Sequence, residues 1–409
     1  MATDAPGILV FSTLFPNGAQ PHAGVFIRER MFRVARHLPL VVVAPIPWFP
    51  LQGLIRRFRP HFRPMAPRRE MQQGIEVYHP RFFCIPGIGK WLDGLFLALG
   101  SYRTVRHLVR QHELRVIDSH FGYPDGYAAT LLGRWLDLPV AITLRGTEPR
   151  HSRTPSLRPL LVRALQRAQR IITVSDSLRR QALELGIPGD KITVVGNGVD
   201  TEEFFPMEAC AARKAWGLPE AGRFLITVGG LVERKGFHRV IEVLPELRKQ
   251  YPDLHYLIVG GASAEGDWTE RLQAMVHAAG LQDCVHFMGA VAHDRIRELL
   301  SAADLFVLST RNEGWANVLL EAMACRLPVV ATDVGGNAEV VSSADLGCII
   351  PFDDRQALRD SLAKALGQDW DRDAIAAHAR ANSWEERVGR LRGIFAAMGA
   401  EASRAVVHG

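Results

Sequence analysis

Cysteine is scarce in this chain, and no apolar run is long. Five cysteines, Cys84, Cys210, Cys284, Cys325 and Cys348, are scattered with no Cys-x-x-Cys pair, which argues against a disulfide framework or a zinc site. The apolar runs break off well before the eighteen residues that a membrane span needs, and the opening MATDAPGILVFSTLFPNG lacks a basic stretch followed by a long apolar one. A cytoplasmic protein is therefore expected. No strand is followed by Gly-x-Gly-x-x-Gly, Gly89-Lys90 has no glycine five residues before it, and no Gly-x-Ser-x-Gly occurs. Dehydrogenase, P-loop and α/β-hydrolase readings lose their support. The Asp-x-Asp spellings at Asp369, Asp371 and Asp373 precede a helical stretch, where a capping role is expected, and no metal is assigned.

What is present fits two ordinary globular domains. The length of 409 residues, 47% hydrophobic and 22% charged, exceeds one typical domain. Short β-branched or apolar runs at 7–12, 40–46, 115–118, 140–144, 170–174 and 191–195 alternate with amphipathic stretches, which predicts parallel βαβ units. A second series at 224–228, 255–260, 284–289, 305–310, 328–332 and 347–351 predicts a second doubly wound sheet. Between them Asn197-Gly198 signals a turn and Pro206 opposes a continuous helix. The expected division is an N-terminal domain over 1–203, a C-terminal domain over 204–384, and a closing helix over 385–409 that packs back on the first domain.

The formal charge of +6 is uneven, because residues 28–115 hold sixteen Lys and Arg against five Asp and Glu. Within that stretch, residues 56–69 mix Arg56, Arg57, Arg59, Arg63, Arg68 and Arg69 with Phe58 and Phe62, and Trp48 stands just before it. Such a composition suits anionic headgroups, a polyphosphate acceptor or nucleic acid, or is a solvated loop. Nothing here resembles a groove-reading module, so nucleic acid is not expected.

The segment 309–341, STRNEGWANVLLEAMACRLPVVATDVGGNAEVV, reads as strand, turn, helix and strand, with the helix running from about Trp315 to Cys325. Its N-terminus faces the carboxyl edge of the sheet, where ligands of open α/β sheets bind. The N–H groups of Trp315, Ala316, Asn317 and Val318 there form an anion site suited to a diphosphate. Glu313 and Glu321 are eight residues apart. On one helix they would differ by about 12 Å in rise and about 80° in azimuth. That is too far for a glycosidase pair, which needs roughly 5–9.5 Å, so they would read hydroxyls at two ends of one long ligand, or simply favour the helix dipole and solvent.

This segment resembles the Glu-x7-Glu region of glycosyltransferase family 4. Residues 118–129 (DSHFGYPDGYAA), 140–148 (VAITLRGTE), 171–179 (IITVSDSLR), 194–206 (VVGNGVDTEEFFP) and 228–236 (VGGLVERKG) resemble the same family in the expected order. The resemblance implies an α/β GT-B fold of two Rossmann-like domains facing across a cleft, retention of anomeric configuration, and no metal or other cofactor beyond the nucleotide-sugar substrate. Carried over by position, Glu321 binds the donor ribose, Glu313 the hydroxyls of the transferred sugar, and the Gly314–Val318 backbone the diphosphate or sugar. Lys235 neutralises the leaving diphosphate. Gly229 and Gly230 stand where the family commonly has Gly-Arg, so Arg234 is the expected second cation. Gly289 and Val291, with Ala290, flank the base.

His120 reaches the transferred sugar in the family pattern, whereas Arg145, Gly18 and Gly24 are candidates for the acceptor side. The function implied is transfer of a hexosyl or N-acetylhexosaminyl group to a glycan or polyprenyl-diphosphate-linked acceptor in cell-surface polysaccharide synthesis, and the basic stretch of the N-terminal half predicts an anionic membrane surface on the inner face of the cell membrane as a partner. A catalytically silent nucleotide-sugar binder and a nucleotide-sugar epimerase remain as alternatives.

Overall fold

The computed structural model describes residues 6–408 apart from 22, 51, 59–61, 63, 64, 86, 88 and 264, and side chains up to residue 401. The chain divides into two compact units, one holding the residues up to Gly196 together with those from Arg387 on, the other Asn197–Glu386.

In the first unit the strands are β1 (Gly7–Phe11), β2 (Leu40–Val43), β3 (Ile46–Trp48), β4 (Arg69–Gln72), β5 (Ile75–Tyr78), β6 (Arg81–Phe83), β7 (Leu114–His120), β8 (Val140–Leu144), β9 (Arg170–Thr173) and β10 (Ile192–Val194). Eight of them form one sheet in the order β10-β9-β8-β7-β1-β2-β5-β4, and β3 pairs with β6. Pairing in the large sheet is parallel except between β4 and β5. Every residue of β1 and β8 is buried, as expected for parallel strands covered on both faces, and this is why they read as unbroken apolar runs.

The second unit contains β11 (Arg223–Val228), β12 (Leu254–Val259), β13 (Val285–Gly289), β14 (Leu305–Leu308), β15 (Val329–Thr332) and β16 (Gly347–Ile350), in a parallel sheet of order β13-β12-β11-β14-β15-β16. All twelve runs expected from the sequence are strands of the two main sheets. The short β3 to β6 are additional.

The closing helix Trp384–His408 places Val388, Leu391, Phe395 and Met398 in the same buried cluster as Ile8, Ile27 and Met31 of the first unit. Asp371 caps the helix Arg372–Ala381 by accepting from the Ala374 amide at 2.9 Å. Its role is structural, as its position before a helix led us to expect. Among the described residues no helix is long and apolar enough to cross a membrane.

Each sheet has one point where chain order reverses. In the first unit it lies between β1 and β7, and in the second between β11 and β14. Loops leaving the carboxyl ends of such neighbouring strands diverge to opposite faces and leave a crevice for a ligand.

Candidate functional site

The second unit's crevice is built by the loops after β11 and β14. After β11, Gly229 and Gly230 lead to a turn of 3₁₀ helix, Glu233–Lys235, and then to the helix Phe237–Gln250. Gly236 joins the two in the left-handed conformation (φ 79°), and a Cβ there would lie 2.0 Å from the Ser309 carbonyl oxygen. Only glycine permits this approach. Ser309 Oγ donates to the Gly236 carbonyl at 2.7 Å, Thr310 Oγ1 to the Arg234 carbonyl at 3.0 Å, and the Arg311 amide to the same carbonyl at 2.8 Å. These bonds fix the cation-bearing turn to the loop that carries Glu313.

The charged groups then meet. Lys235 Nζ donates to Glu313 Oε1 at 2.7 Å, Arg234 Nη1 to the same oxygen at 3.2 Å, and Thr310 Oγ1 also at 3.2 Å. Arg234 further donates to the Asn312 carbonyl at 2.9 Å and, through Nε and Nη2, to both oxygens of Glu265 at 2.8 and 2.6 Å. These two carboxylates hold the guanidinium charged, with Glu265 the larger influence. Glu265 had no sequence signal, because it lies in a loop after β12, 31 residues from its partner.

The helix after β14 begins later than the sequence suggested. It spans Asn317–Ala324, with Ala316 as N-cap and Trp315 outside it. The segment before it is spent on the bonds of Thr310, Asn312 and Glu313, so the backbone cannot enter the helix at Trp315. Glu313 is therefore not on the helix, and the rise expected for two helical carboxylates does not apply. The loop also needs Gly335, at φ 58°, where a Cβ would lie 1.8 Å from the Glu313 carbonyl oxygen.

Trp315 Nε1 is buried and has no hydrogen-bond partner among the described residues. Asn317 Oδ1 accepts from Asn197 at 2.9 Å. Val318 packs against the core, while Gly314 is half-buried. Glu321 lies on the helix, half-buried. Burial pushes its carboxyl up to about 7, Glu203 adds to the rise, and His293 and Lys235 oppose it.

Gly229 lies beneath the Lys235 stem, since a Cβ there would sit 3.4 Å from Lys235 Cε. A Cβ at Gly230 would meet Ser263 Cβ at 3.0 Å, so a larger residue needs that serine to shift. Gly289 ends β13, its carbonyl takes the Gly260 amide at 2.8 Å, and Val291 packs at the edge of the core.

In the first unit, His120 closes β7 and is fully buried. Its Nδ1 accepts from Arg145 Nε at 3.0 Å, so the ring carries its proton on Nε2, which lies 3.4 Å from Asp118 Oδ2. Burial and the cations Arg145 and Arg30 keep the imidazole neutral, well below its usual range. Asp118 is pushed up to about 6 by burial, against Arg30 and Arg145. Arg145 also stacks on Phe26, with 5.1 Å from its guanidinium carbon to the ring centre.

Gly18 donates to Glu70 at 3.3 Å, and Gly24 opens the helix Val25–Ala35 packed on Leu14. Thr13 ties the loop after β1 to the loop after β7: its amide donates to Asp125 Oδ1 and its hydroxyl to Oδ2 at 3.1 Å. Asp125, missed in the sequence reading, is buried and pushed up to about 7.

Residues 210–382 match the family described as Glycosyl transferases group 1, and residues 51–203 match Glycosyltransferase Family 4. The chain belongs to glycosyltransferase family 4. This glycosyltransferase is 29% identical over 339 residues to a Bacillus subtilis protein named as a teichuronic acid biosynthesis glycosyltransferase, TuaC, covering 80% of this chain and 81% of that one. It is also 29% identical over 347 residues to a D-inositol 3-phosphate glycosyltransferase of Corynebacterium urealyticum, with 79% and 81% covered. In structure it resembles HepE of Anabaena, solved in complex with UDP, at a TM-score of 0.72 and 20% identity over 96% of this chain and 100% of that one. The family 4 glycosyltransferase thus has the GT-B fold, two Rossmann-like α/β units with parallel sheets. Among the described residues no group of three His, Cys, Asp or Glu could hold a metal ion.

Proposed function

We propose that this glycosyltransferase moves a hexosyl or N-acetylhexosaminyl group from a nucleoside-diphosphate sugar to a glycan or polyprenyl-diphosphate-linked acceptor, with retention and without a metal, in cell-surface polysaccharide assembly. The observation that carries the reading is the cluster of Lys235, Arg234 and Glu313 at the switch point of the second sheet. The main cost of the reaction is the charge that develops on the departing diphosphate. Lys235, Arg234 and the amides of the first helical turn at Asn317 and Val318 are fixed donors for it, and such donors are worth about 3–4 kcal/mol each in oxyanion sites. Glu313 exchanges its two cations for the diphosphate and then accepts from hydroxyls of the transferred sugar. Glu321, whose carboxyl has no hydrogen bond among the described residues, accepts from the ribose diol. Trp315 Nε1 supplies a further donor at the same place.

No side chain at the cluster is poised as a nucleophile on the sugar, so the acceptor attacks on the face the diphosphate leaves, and a phosphate oxygen receives its proton. His120, neutral and enclosed, positions Arg145 rather than removing that proton. That UDP is the ligand named for HepE supports a nucleotide-sugar donor, and the name of the B. subtilis relative supports a cell-surface product.

The first unit's surface favours work at an anionic membrane on its inner face. Phe58 and Leu54 on the helix Gln52–Phe58 are 81% and 51% exposed beside Arg57. Arg68 is exposed as well, whereas Arg69 is paired with Glu76. Arg59 and Arg63 lie outside the described residues.

The test has two parts. A panel of nucleotide sugars is screened by thermal shift, where a tight donor raises the unfolding temperature. Free nucleoside diphosphate is then measured with and without acceptor. Acceptor-dependent release supports the transferase, while binding without release in any combination would establish the silent-binder alternative.

A further inference from the structure

Two imidazoles meet near the amino edge of the second sheet, away from the crevice. His255 is the second residue of β12 and His286 the second of β13, the strand at the edge of that sheet. Leu257 pairs with His286 in the parallel register, and side chains alternate between faces along a strand. His255 and His286 therefore project from one face of neighbouring strands. Nδ1 of His255 lies 3.2 Å from Nε2 of His286, with 5.3 Å between the ring centres and 38° between the planes.

The His255 ring is held in place. Phe224 of β11 stacks on it at 4.9 Å and 18°. The Arg213 guanidinium lies over Phe224 at 4.4 Å and is itself fixed by the Ala302 carbonyl and Asp304, at 2.9 and 3.1 Å. Both imidazoles are half-buried, so the pair stays open to an ion from solvent.

The spacing of the two nitrogens is that of two ligands on one ion. With metal–nitrogen bonds of about 2.0–2.1 Å, a tetrahedral ion sets its nitrogens about 3.3–3.4 Å apart and a square-planar ion about 2.9 Å. Without an ion, one ring donates its N–H to the lone pair of the other. An ion takes both lone pairs, which requires a tautomer change in one ring and releases no proton, because imidazole is largely unprotonated above pH 7.

The neighbouring groups decide the class of ion. Cys284 is turned away, its Sγ donating to the Leu281 carbonyl at 3.4 Å. Asp283 acts electrostatically on both imidazoles. It is 61% exposed and paired with Arg248, and such exposed pairs hold weakly, so Asp283 can turn to an ion while water fills the remaining positions. Two imidazoles with a carboxylate or water suit zinc, nickel or copper, whereas magnesium and calcium call for oxygen ligands.

We propose that His255 and His286 bind a late first-row divalent ion that ties the edge strand β13 to β12. The ion is structural. Its site is remote from Lys235 and Glu313, so it adds no metal to the reaction and does not depend on the glycosyltransfer reading.

The experiment is calorimetric titration of the full chain, free of any tag and stripped with chelator, with Zn²⁺ and with Ni²⁺. His255→Asn, His286→Asn and, as a control, His107→Asn at an exposed histidine of the first unit are titrated alongside. Wild type and the control are expected to bind one ion at the tightest site and to unfold at a higher temperature as the ion is added. Each variant of the pair should bind at least tenfold more weakly and lose that rise. Pulsed EPR of the Cu²⁺-loaded wild type, which depends on no variant folding, should count two imidazoles on the ion. Either variant of the pair binding as tightly as wild type, an equal loss in His107→Asn, or a Cu²⁺ spectrum with fewer than two imidazoles would overturn the proposal.

Discussion

Lys235 Nζ lies 2.7 Å from Glu313 Oε1, bridging the loops that leave β11 and β14, 78 residues apart. The pair is neutral as it stands, so binding an anionic diphosphate has to exchange one partner for another. This sets the first expectation. Lys235→Ala should lower turnover at least tenfold, about 1.4 kcal/mol, with the unfolding temperature close to wild type, because Arg234 and Thr310 still donate to Glu313. Steady-state kinetics beside a thermal melt checks it. Unchanged turnover would remove Lys235 from the leaving-group role.

Glu265 accepts two hydrogen bonds from Arg234, so under the proposed function it competes with the donor for that cation. Since Glu265 is 53% exposed, the pair is worth only a fraction of a kcal/mol to stability. Glu265→Gln should therefore tighten nucleoside diphosphate binding about two- to fivefold without altering the fold. Arg234→Ala should weaken it. If both variants bind like wild type, Arg234 does not touch the diphosphate.

Glu321 has a carboxyl pushed up to about 7 in the folded chain, above its value when unfolded. The folded state then binds more protons between roughly pH 4.5 and 7, so this group's contribution falls as pH rises through that window and stays low above it. Glu321→Gln should accordingly stabilise the ligand-free protein by about 1–3 kcal/mol at pH 8, and by little at pH 4.5. Nucleotide affinity should fall at either pH. Urea denaturation at the two pH values, with titration of the nucleotide, decides it. Equal effects on stability at both pH values would contradict the assigned shift.

Gly335 faces the Glu313 carbonyl in a left-handed conformation. Gly335→Ala should displace the Glu313 peptide and cost about 1–3 kcal/mol, with a larger fractional loss of activity than of folded protein. Measuring both from one preparation separates a misplaced Glu313 from simple unfolding. Wild-type activity in Gly335→Ala would mean that the loop tolerates movement.

At the first unit's surface, each basic residue near an anionic leaflet is worth on the order of 1 kcal/mol. Wild type should sediment with anionic vesicles at low salt and less at high salt. A variant with Arg56, Arg57, Arg59, Arg63, Arg68 and Arg69 replaced by glutamine should remain in solution. Equal binding of the two, or no binding by wild type, would exclude this surface as the membrane contact.

The sequence by itself determined the two sheets and picked out Lys235, Arg234 and Glu313, which the structure brings together. Buried parallel strands are continuous apolar runs, and the chain from Ser309 to Val341 is contiguous, so Glu313 and Glu321 could be picked out from spacing and family resemblance. Tertiary structure alone decided what those residues touch. Glu265 is an ordinary loop glutamate until folding brings it to Arg234, and Asp125 meets Thr13 from 112 residues away. The helix starts at Asn317 and not at Trp315 because long-range bonds to Thr310, Asn312 and Glu313 hold the preceding loop, and local propensity carries no trace of them. The same holds for the cavity of about 880 Å³ in the first unit. Its walls come from segments far apart in the sequence, those that follow β1, β2, β6, β7 and β8, and the orphaned nitrogen of His151 exists only once folding buries it.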